Sequence, residues 1–579
     1  MWSLLGVALA FRRHSLLIAT VVLAASVRLW GIRFGLPMEI ARPDEAYLVT
    51  VALGFGGGSL NPNTFIYPTF PMYFLFLLYG LYFTVGIFSG RYQAPADLGL
   101  EYRLNPSVFY LMARLVSVGF GVLSVVLLYF IAKRLFDRRT ASLSSFFLSL
   151  AYLHVRESHF GTVDVAATFW LLVSFYFIIR SLTERGRKSV VLSGVFAGLA
   201  AATKYIGILL VLPIALASFF RAPRRAGSEA ITLFVLRRIT LFGAAFLLAF
   251  LIGVPFALLD LKTFLSDVML NARNLDVVWG NVFLGRGWWF NVQVALFYGL
   301  GWSLFAASML GMLFFLRRYP AKAVVFLAFP IFYFVLAGKG YAVMTRYMVP
   351  IVPFLCILGA VFVRTVGTLL KLRGRRRMLV EIMLAVIIVL PSARTVFEFD
   401  RLLSRTDSRL LVLSFLDSHL ANQNSVYQTA ATLLLPPTKE DLERKVGEKE
   451  ALGGMGNLLR ARILEREIRI RDERGHEGFV LWTYDPSRKK FFYAGDEEEG
   501  LPGYIVVERS PLRGYSTVPE GIPEILERSY LLVARFAGVD AGSGAQIYDQ
   551  QDRFYVPFVG FSGLSRPGPG IEIYERVEG

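Results

Sequence analysis

Long apolar stretches, separated by short segments rich in arginine and lysine, recur along the chain up to about residue 396. Crossing roughly 30 Å of hydrocarbon takes about 17–25 apolar residues in helical form, which is the length of most of these stretches. The pattern therefore predicts an α-helical polytopic membrane protein. About eleven crossings are predicted, at residues 13–33, 108–132, 140–154, 164–180, 189–203, 205–220, 239–258, 290–316, 320–337, 347–370 and 378–396.

The basic residues cluster in the short loops between these stretches. Because lysine and arginine are enriched in cytoplasmic loops, the clusters predict the inner side of a plasma (inner) membrane, with a cytoplasmic N-terminus and an external C-terminus. The net charge of +18 is thus a topology signal, and no nucleic-acid partner is predicted. The clusters are Arg12–Arg13, Lys133–Arg139, Arg180–Lys188, Arg221–Arg238, Arg317–Lys322 and Lys371–Arg377.

Two apolar stretches need a separate interpretation. A full crossing by "FIYPTFPMYFLFLLYGLYFTVGIF" at 65–88 would move the cluster at 133–139 to the outer face. We therefore predict a juxtamembrane or re-entrant helix at the outer interface, where its tyrosines and prolines are favoured. The stretch 189–220 is too long for one crossing and has basic clusters at both ends, so it predicts a hairpin with Lys204 at its outer tip.

Composition supports a membrane protein and separates a second part of the chain. With 55% hydrophobic residues and a mean hydropathy of +0.54, the chain is too apolar for one soluble globule. After residue 400 it becomes polar, and one helical pattern, at about 438–475, and four strand patterns, beginning near residues 478, 504, 530 and 571, follow. The sequence predicts a transmembrane domain at 1–400 and a soluble extracytoplasmic α/β domain at 401–579. Cys356 is the single cysteine, so no intrachain disulfide can form.

Three acids are predicted on the outer face. Asp44 and Glu45 lie side by side after the first helix, and Asp164 lies in the next outer loop. Such an acid pair often caps a helix, which needs no chemistry. Acids near hydrocarbon are costly, however, and persist mostly where a cavity or a partner uses them. We therefore favour catalysis, with Asp44 as a base that removes a proton from an attacking hydroxyl or amine, supported by Glu45 and Asp164.

Three basic residues are predicted close to the outer surface. Lys204, Arg346 and Arg114 would lie at a similar depth, where they can hold a lipid phosphate. The alternative is that they are interfacial anchors whose charges reach the headgroups.

Several further residues are weaker candidates. His154 and His159 lie near two acids, which leaves a divalent metal as an alternative, although their spacing suits no standard helical pair. Trp288 and Trp289 at a helix start are typical of an aromatic belt, with a sugar-stacking platform as the alternative. Arg42, Tyr67, His159, Trp288 and Trp289 are the candidate substrate-binding residues.

An ordered set of motifs extends over about residues 10–400. The motifs are "RPDEAYLV", "YPTFPMYF", "ARLVSVGFGVLSVVLLYFIAKRLF", "RESHFGTVDVAATFW", "GLAAATKYIGILLVLP", "GVPFALLDLKTFLSD" and "RYMVPIVPFL". In this order they resemble the GT-C glycosyltransferases, in particular the protein O-mannosyltransferases and the lipid A aminoarabinose transferase. No single motif would suffice for this resemblance.

The resemblance implies a GT-C fold and an integral membrane enzyme that takes a sugar from a polyprenyl-phosphate donor and inverts its anomeric centre. It implies a catalytic carboxylate in the first outer loop, which is Asp44, a second acidic loop with Asp164, and a donor-phosphate contact by Lys204. The acceptor would be a lipid, a glycan or a protein. One feature departs from the family: the aminoarabinose transferase has a lysine before the paired prolines of its juxtamembrane helix, where this chain has Tyr67-Pro68.

Two other functions stay open from the sequence. A transporter or flippase for a lipid-linked sugar could use Asp44 and Asp164 as cation sites, but these acids are predicted in outer loops, whereas transporters bind near the midplane. A silent scaffold whose soluble domain does the binding is the second alternative.

Overall fold

In the computed structural model the chain forms a bundle of helices followed by a domain built on a seven-stranded sheet. The structure describes residues 2–184, 186–223, 227–419, 425–474, 478–493, 499–512, 514–538 and 546–577, with the backbone alone at 2–14, 474 and 499.

The helices of the bundle are joined by short connections. Shorter 3₁₀ helices lie at Glu39–Ala41, Phe55–Gly57, Tyr205–Leu210, Trp279–Asn281 and Thr345–Ile351, and a π-helical turn lies at Asn291–Leu296. The α-helices are α1 (Trp2–Leu29), α2 (Pro43–Gly54), α3 (Phe70–Phe88), α4 (Pro95–Leu104), α5 (Ser107–Leu135), α6 (Arg138–Leu150), α7 (Tyr152–Ser158), α8 (Val163–Ser181), α9 (Lys188–Thr203), α10 (Val211–Arg221), α11 (Ser228–Gly253), α12 (Phe256–Leu259), α13 (Leu261–Asn274), α14 (Gly287–Phe290), α15 (Phe297–Leu300), α16 (Trp302–Arg318), α17 (Pro320–Lys339), α18 (Val352–Leu369), α19 (Gly374–Leu403) and α20 (Ser408–His419).

Several of these helices can cross a membrane. Among the described residues, seven helical segments are long and apolar enough, and an eighth crossing results if the bent pair Gly287–Leu300 and Trp302–Arg318 counts as one. The pair bends by 109° at Gly301, whose φ of +76° favours glycine, so the helix predicted at 290–316 is in fact broken. A polytopic helical protein is confirmed. The count of eleven stays a prediction, because α6, α9 and α10 have only 13, 16 and 11 residues.

Helix α3 corresponds to the stretch predicted to stay at the outer interface. Its length and composition would also permit a crossing. The chain on both sides of α3 nevertheless meets one helix of the sheet domain, α22 (Met455–Arg474): Gly57 lies against Gly456, and Asp97 of α4 pairs with Arg466. This arrangement fits a helix that enters and leaves on one side, which stays a prediction.

The predicted basic loops meet at the opposite end of the bundle. Arg364 pairs with Asp137 in the 133–139 loop and with Glu381 on α19, while Arg134 pairs with Glu184 in the next basic loop. The side chains of Arg12 and Arg13, residue 185 and residues 224–226 lie outside the described residues. The structure thus places several basic loops together at one end of the bundle.

The predicted break at Lys204 is confirmed. Helix α9 ends at Thr203, Lys204 has an extended backbone (φ −154°, ψ 132°), and the chain reverses through the 3₁₀ helix Tyr205–Leu210 into α10. The reversal is tight, since a Cβ on Gly207 would lie 2.3 Å from the Ala197 carbonyl oxygen. The hairpin therefore presents Lys204 at its tip.

The sheet domain contains the four predicted strands and three more. The strand order is β4-β3-β2-β1-β5-β7-β6, with β1 parallel to β2 and β5 and the other pairs antiparallel. Helices α20 and α23 (Ile522–Ser529) pack on opposite faces of the sheet. The single predicted helix is two, α21 (Lys439–Leu452) and α22, because Gly453 and Gly454 both have positive φ. The strands are β1 (Ser425–Gln428), β2 (Val480–Asp485), β3 (Lys490–Tyr493), β4 (Glu499–Gly500), β5 (Tyr504–Arg509), β6 (Tyr530–Phe536) and β7 (Gly570–Arg576).

One segment of the sheet domain does not stay in that domain. Residues 546–561, which we call the docking loop, return to the bundle, where Phe554, Val556, Phe558 and Phe561 join the main apolar core. Helix α19 also runs through the predicted boundary at 400–401. The two parts therefore share a core, and the boundary at 400–401 stays a prediction.

The same-side arrangement of α3 can be tested by thiol labelling in a Cys356→Ala background. A membrane-impermeant maleimide applied to sealed cells should label Ser59→Cys, Gln93→Cys and Glu527→Cys, because these exposed positions lie before α3, after α3 and in the sheet domain. Arg375→Cys in a basic loop should be labelled only after the membrane is opened. If Gln93→Cys, like Arg375→Cys, were labelled only after the membrane is opened, α3 would cross the membrane.

Candidate active site

The predicted acid pair lies in the first turn of α2. Pro43 is favoured at the first helical position, and Arg42 before it has an extended backbone (φ −139°, ψ 100°). Asp44 and Glu45 are favoured there by the positive end of the helix dipole. Because successive helical residues point about 100° apart, the two carboxylates have different surroundings. Glu45 is fully buried, whereas the Asp44 side chain is 29% exposed.

Glu45 forms a bidentate ion pair with Arg114 of α5. The nitrogen–oxygen distances are 2.9 and 2.7 Å, and Glu45 also accepts the Gly161 backbone N–H at 2.7 Å. Arg114 donates its remaining Nη1 to the carbonyl groups of Ile32 and Phe34 at 2.8 Å. The pair joins the end of α1, α2, α5 and the turn before α8. The Arg114 guanidinium is buried and its donors are used within the protein. Arg114 therefore does not belong with Lys204 and Arg346, the other two residues predicted to bind a lipid phosphate.

Asp44 faces Arg346, which begins a helical segment 302 residues later in the chain. Their side chains form an ion pair, and Arg346 is only 8% exposed. Arg346 also contacts the Met344 sulfur at 3.0 Å. The structure thus brings together a predicted catalytic residue and a predicted phosphate-binding residue, with Asp44 as the more accessible of the two.

Lys204 pairs with Asp164 beside this first pair. The Lys204 Nζ lies 2.6 Å from Asp164 Oδ1 and 5.1 Å from the ring centre of Tyr347, the residue after Arg346. Tyr67 belongs to the same group. Burial raises the pKa of Tyr67, and the nearby Asp164 carboxylate raises it further. Lys204 is 19% exposed and Asp164 is 3% exposed. Asp164 and the hairpin lysine Lys204 therefore form a pair close to the Asp44–Arg346 pair.

Arg42 forms a further buried pair with a residue that the sequence did not indicate. It donates to Asp552 of the docking loop and lies 4.0 Å from Glu157. The rings of Phe160 and Phe554 are centred 4.8 and 5.4 Å from the Arg42 guanidinium carbon. Burial raises the pKa of Glu157 to about 7, although the Arg156 and Arg42 guanidinium groups act in the opposite direction. Arg42 is thus held by protein groups in this structure.

The docking loop brings two acids and a glutamine to the site. Asp549 accepts from the Thr345 backbone N–H at 2.7 Å, and Gln551 accepts from Val343 N–H at 2.7 Å. Burial and the Asp552 carboxylate raise the pKa of Asp549 to about 6. Burial also opposes ionisation of Asp552, but the Arg42 and Arg346 guanidinium groups outweigh it and hold its pKa well below the usual range.

The sequence contained little that could have indicated these three residues. The run "YDQQDRFYVPFVGF" combines acids with aromatic residues, which is a weak sign of a segment that packs against charged groups. No motif links it to Arg42, from which Asp552 is 510 residues distant in the chain.

Other predicted residues lie elsewhere. His159 is buried, and its Nδ1 and Nε2 atoms lie 3.0 and 2.9 Å from the carbonyl oxygens of Val155 and Trp30, so its ring lies between α7 and the residue that follows α1. Trp288 donates to the Val335 carbonyl oxygen, and Trp289 is 68% exposed, which suits an aromatic belt better than a sugar platform. Over the described ranges, no three or more histidine, cysteine, aspartate or glutamate side chains form a group that could hold a metal ion.

A narrow groove lies close to the Lys204–Asp164 pair. It lies between α3, α5 and α8 and is mainly apolar. It is lined by Thr162 and Ala166, each two positions from Asp164, and by Thr203, which precedes Lys204. Its lining includes Phe70, Phe74, Ala113, Phe120 and Trp170. The groove is therefore an apolar surface next to a charged pair.

Comparison with known proteins supports these observations. A family model described as dolichyl-phosphate-mannose-protein mannosyltransferase matches residues 110–252. An undecaprenyl phosphate-alpha-4-amino-4-deoxy-L-arabinose arabinosyl transferase of Pseudomonas aeruginosa (strain LESB58) is 27% identical over 329 residues, which are 50% of this chain and 55% of that protein. A similarly named transferase of Pseudomonas fluorescens is 28% identical over 197 residues, or 30% and 33% of the two chains. The chain thus spans about half the length, or less, of the curated relatives it matches.

The fold is also found in a solved structure. The crystal structure of ArnT from Cupriavidus metallidurans in the apo state has a TM-score of 0.50 and 14% identity, over 97% of this chain and 98% of that chain. This similarity shows the fold. Together the comparisons confirm the predicted resemblance to the GT-C glycosyltransferases, in the branch of the lipid A aminoarabinose transferase.

The Glu45–Arg114 pair predicts a large effect on stability. Arg114→Gln should lower stability by about 3–5 kcal/mol, because removing one partner leaves a buried charge without compensation. The control is Arg91→Gln, since Arg91 is 55% exposed in its pair with Glu101 and should contribute at most about 1 kcal/mol. Thermal unfolding of both variants in detergent measures the difference. Equal shifts in Tm would contradict a structural role for the buried pair.

Proposed function

We propose that the protein is an inverting glycosyltransferase that moves a sugar from a polyprenyl-phosphate donor to an acceptor at the outer membrane face. The observation that carries the proposal is the meeting of two ion pairs around Tyr347: the partly exposed Asp44 with Arg346, and Lys204 with Asp164 beside an apolar groove. The relatives are named as arabinosyl transferases for undecaprenyl phosphate-linked aminoarabinose, which supports this donor class.

Lys204 is placed to bind the donor phosphate. The groove between α3, α5 and α8 would take the polyprenyl chain, and its charged end would lie at the hairpin tip. As the bond to the sugar breaks, negative charge grows on the phosphate, and a fixed cation stabilises that charge. Arg346 is the second candidate for this contact because it lies beside Tyr347. Asp164 then keeps Lys204 in place when no donor is bound.

Asp44 is placed to act as the general base. Its carboxylate is 29% exposed, whereas the side chains of Glu45, Asp164 and Asp552 are at most 4% exposed. The acceptor hydroxyl or amine attacks the anomeric carbon and gives its proton to Asp44. The bond from that carbon to the phosphate oxygen breaks, and polyprenyl phosphate leaves as an anion. One displacement of this kind inverts the anomeric centre.

The remaining predicted residues support this arrangement. Glu45 and Arg114 fix the start of α2, and Arg42 holds the backbone that leads to Asp44. The basic loops at the other end of the bundle support an outer position of the site in the plasma (inner) membrane, with residues 401–579 mainly in an extracytoplasmic domain. The acceptor is a lipid, a glycan or a protein.

Asp44→Asn should reduce turnover by about 10²–10⁴, the usual contribution of a positioned general base. Asparagine keeps the shape of the side chain, so donor binding and folding should stay close to wild type. The assay measures release of polyprenyl phosphate in detergent, with undecaprenyl-phosphate aminoarabinose and dolichyl-phosphate mannose as probe donors. An extract of host lipids and envelope glycans supplies the acceptor.

The matched control for this variant is Asp276→Asn, an exposed acid after α13. It should keep wild-type turnover. Loss of turnover in Asp164→Asn together with activity in Asp44→Asn would identify Asp164 as the base. A wild-type protein that moves the donor across a membrane without releasing polyprenyl phosphate would be a transporter, contrary to the proposal.

Lys204→Gln should weaken donor use by about 10- to 100-fold in kcat/KM, since hydrogen bonds to charged groups contribute about 1.5–3 kcal/mol. Undecaprenyl phosphate alone should also bind more weakly, which tests the phosphate contact without the sugar. Lys262→Gln, at an exposed lysine of α13, serves as the control. Unchanged binding of undecaprenyl phosphate by a folded Lys204→Gln protein would remove Lys204 from the phosphate site.

A further inference from the structure

The docking loop is held in the bundle mainly by apolar contacts. The Phe554 ring lies 4.9 Å from Phe160, the Phe558 ring 5.3 Å from Tyr152, and the Phe561 ring 6.1 Å from Phe399, measured between ring centres. These side chains belong to the main core of the bundle. The loop therefore has apolar anchors in the bundle that are separate from Asp552.

Polar groups of the docking loop fix the segment that leads to Arg346. Gln551 accepts from Val343 N–H and donates to the carbonyl groups of Val282 and Tyr341, at 3.0 and 3.1 Å. Asp549 accepts from both the backbone N–H and the hydroxyl of Thr345, at 2.7 and 2.9 Å. The loop thus determines the course of the backbone immediately before the arginine that faces Asp44.

Asp552 acts on the other side of Asp44. It pairs with Arg42, which lies two positions before Asp44, and its carboxylate is stabilised by the charges of both Arg42 and Arg346. Arg42 has an extended backbone and a fully enclosed side chain, so its ion pair restrains the turn into α2. One carboxylate of the sheet domain therefore holds Arg42, which precedes the proposed base, and lies within electrostatic reach of Arg346, which pairs with that base.

The burial of this charge needs an explanation. Replacing a buried ion pair with well-packed apolar residues is often neutral or stabilising, so a buried pair is weak evidence for stability alone. A loop that only needed to dock could use another apolar residue at position 552. Active sites, in contrast, need side chains held in place by a second set of fixed contacts.

We propose that Asp552 is a positioning residue that orients Asp44 through Arg42, so that the sheet domain completes the proposed active site of the bundle. This inference rests on the proposed function. Asp552 itself touches no reacting atom: it restrains Arg42 and the start of α2, and thereby the direction of the Asp44 carboxylate. Its removal should affect the chemical step rather than the binding of the donor at Lys204.

The test is the variant Asp552→Asn, which keeps the side-chain shape and removes the charge. We expect kcat to fall about 10- to 100-fold, because small misplacements of a catalytic group have effects of this size. The KM for whichever probe donor the wild type uses should stay within about twofold. The matched control is Glu572→Gln: Glu572 is another buried acid of the sheet domain, paired with Arg509 and Arg535. It should keep wild-type kcat.

Two more variants separate positioning from docking. Phe558→Leu weakens the packing of the loop and keeps Asp552, so it should lower Tm while kcat stays near wild type. The double variant Arg42→Gln with Asp552→Asn should be no slower than Arg42→Gln alone, because both act on one restraint. If Asp552→Asn does not fold, Asp552→Glu, whose carboxylate is displaced by one methylene group, should still lower kcat at constant donor KM.

The outcomes distinguish this inference from the proposed function. An active wild type with equal kcat in Asp552→Asn and Glu572→Gln would overturn the positioning role alone. Wild-type kcat in a folded Asp552→Glu, where that variant is needed, or additive losses in the double variant would do the same. A wild type that releases no polyprenyl phosphate from either donor, yet folds and binds undecaprenyl phosphate, would overturn the proposed function instead.

Discussion

A buried charge next to hydrocarbon must be compensated by an opposite charge or by hydrogen bonds, and this constraint organises the whole site. The Glu45–Arg114 pair shows its effect most directly. Both side chains are fully buried, and their hydrogen bonds reach Gly161, Ile32 and Phe34. The exit of α1, the start of α2, the first turns of α5 and the turn before α8 are therefore fixed relative to one another by a single pair.

The same constraint separates the enclosed charges from those for which we propose a role in the reaction. Glu45 and Asp552 are buried and matched by arginines, so their charges are used within the protein. Asp44 and Lys204 are also paired, but each keeps part of its side chain exposed. A charge that is held by one partner and still reaches solvent can interact with a substrate without a large desolvation cost. The partition follows from burial, although all four residues lie within a small region.

Local features of the fold and site could be predicted from sequence because they depend on neighbouring residues. The apolar helices and four strands follow from periodicity and from turn residues, and the break at Lys204 follows from the length of its apolar stretch and the basic clusters at both ends. The break at Gly301 was missed because one glycine in an apolar run has no distinct pattern. Pair partners were missed for a different reason. Arg114 was predicted to bind phosphate and instead neutralises Glu45, and nothing in one sequence shows which acid an arginine will meet after folding.

The docking loop is the largest feature that sequence analysis missed, because one sequence does not show which distant residues will pair after folding. From sequence the segment after residue 400 is a separate polar domain, since its composition changes abruptly and no catalytic motif follows. In the structure Asp552 and Arg42 are both buried, and each compensates the charge of the other. Without its partner, either residue would be an enclosed charge without its main compensation. Neither residue can change alone at low cost. The pair therefore couples the sheet domain to the first outer loop, and a change in composition along a chain does not mark where an active site ends.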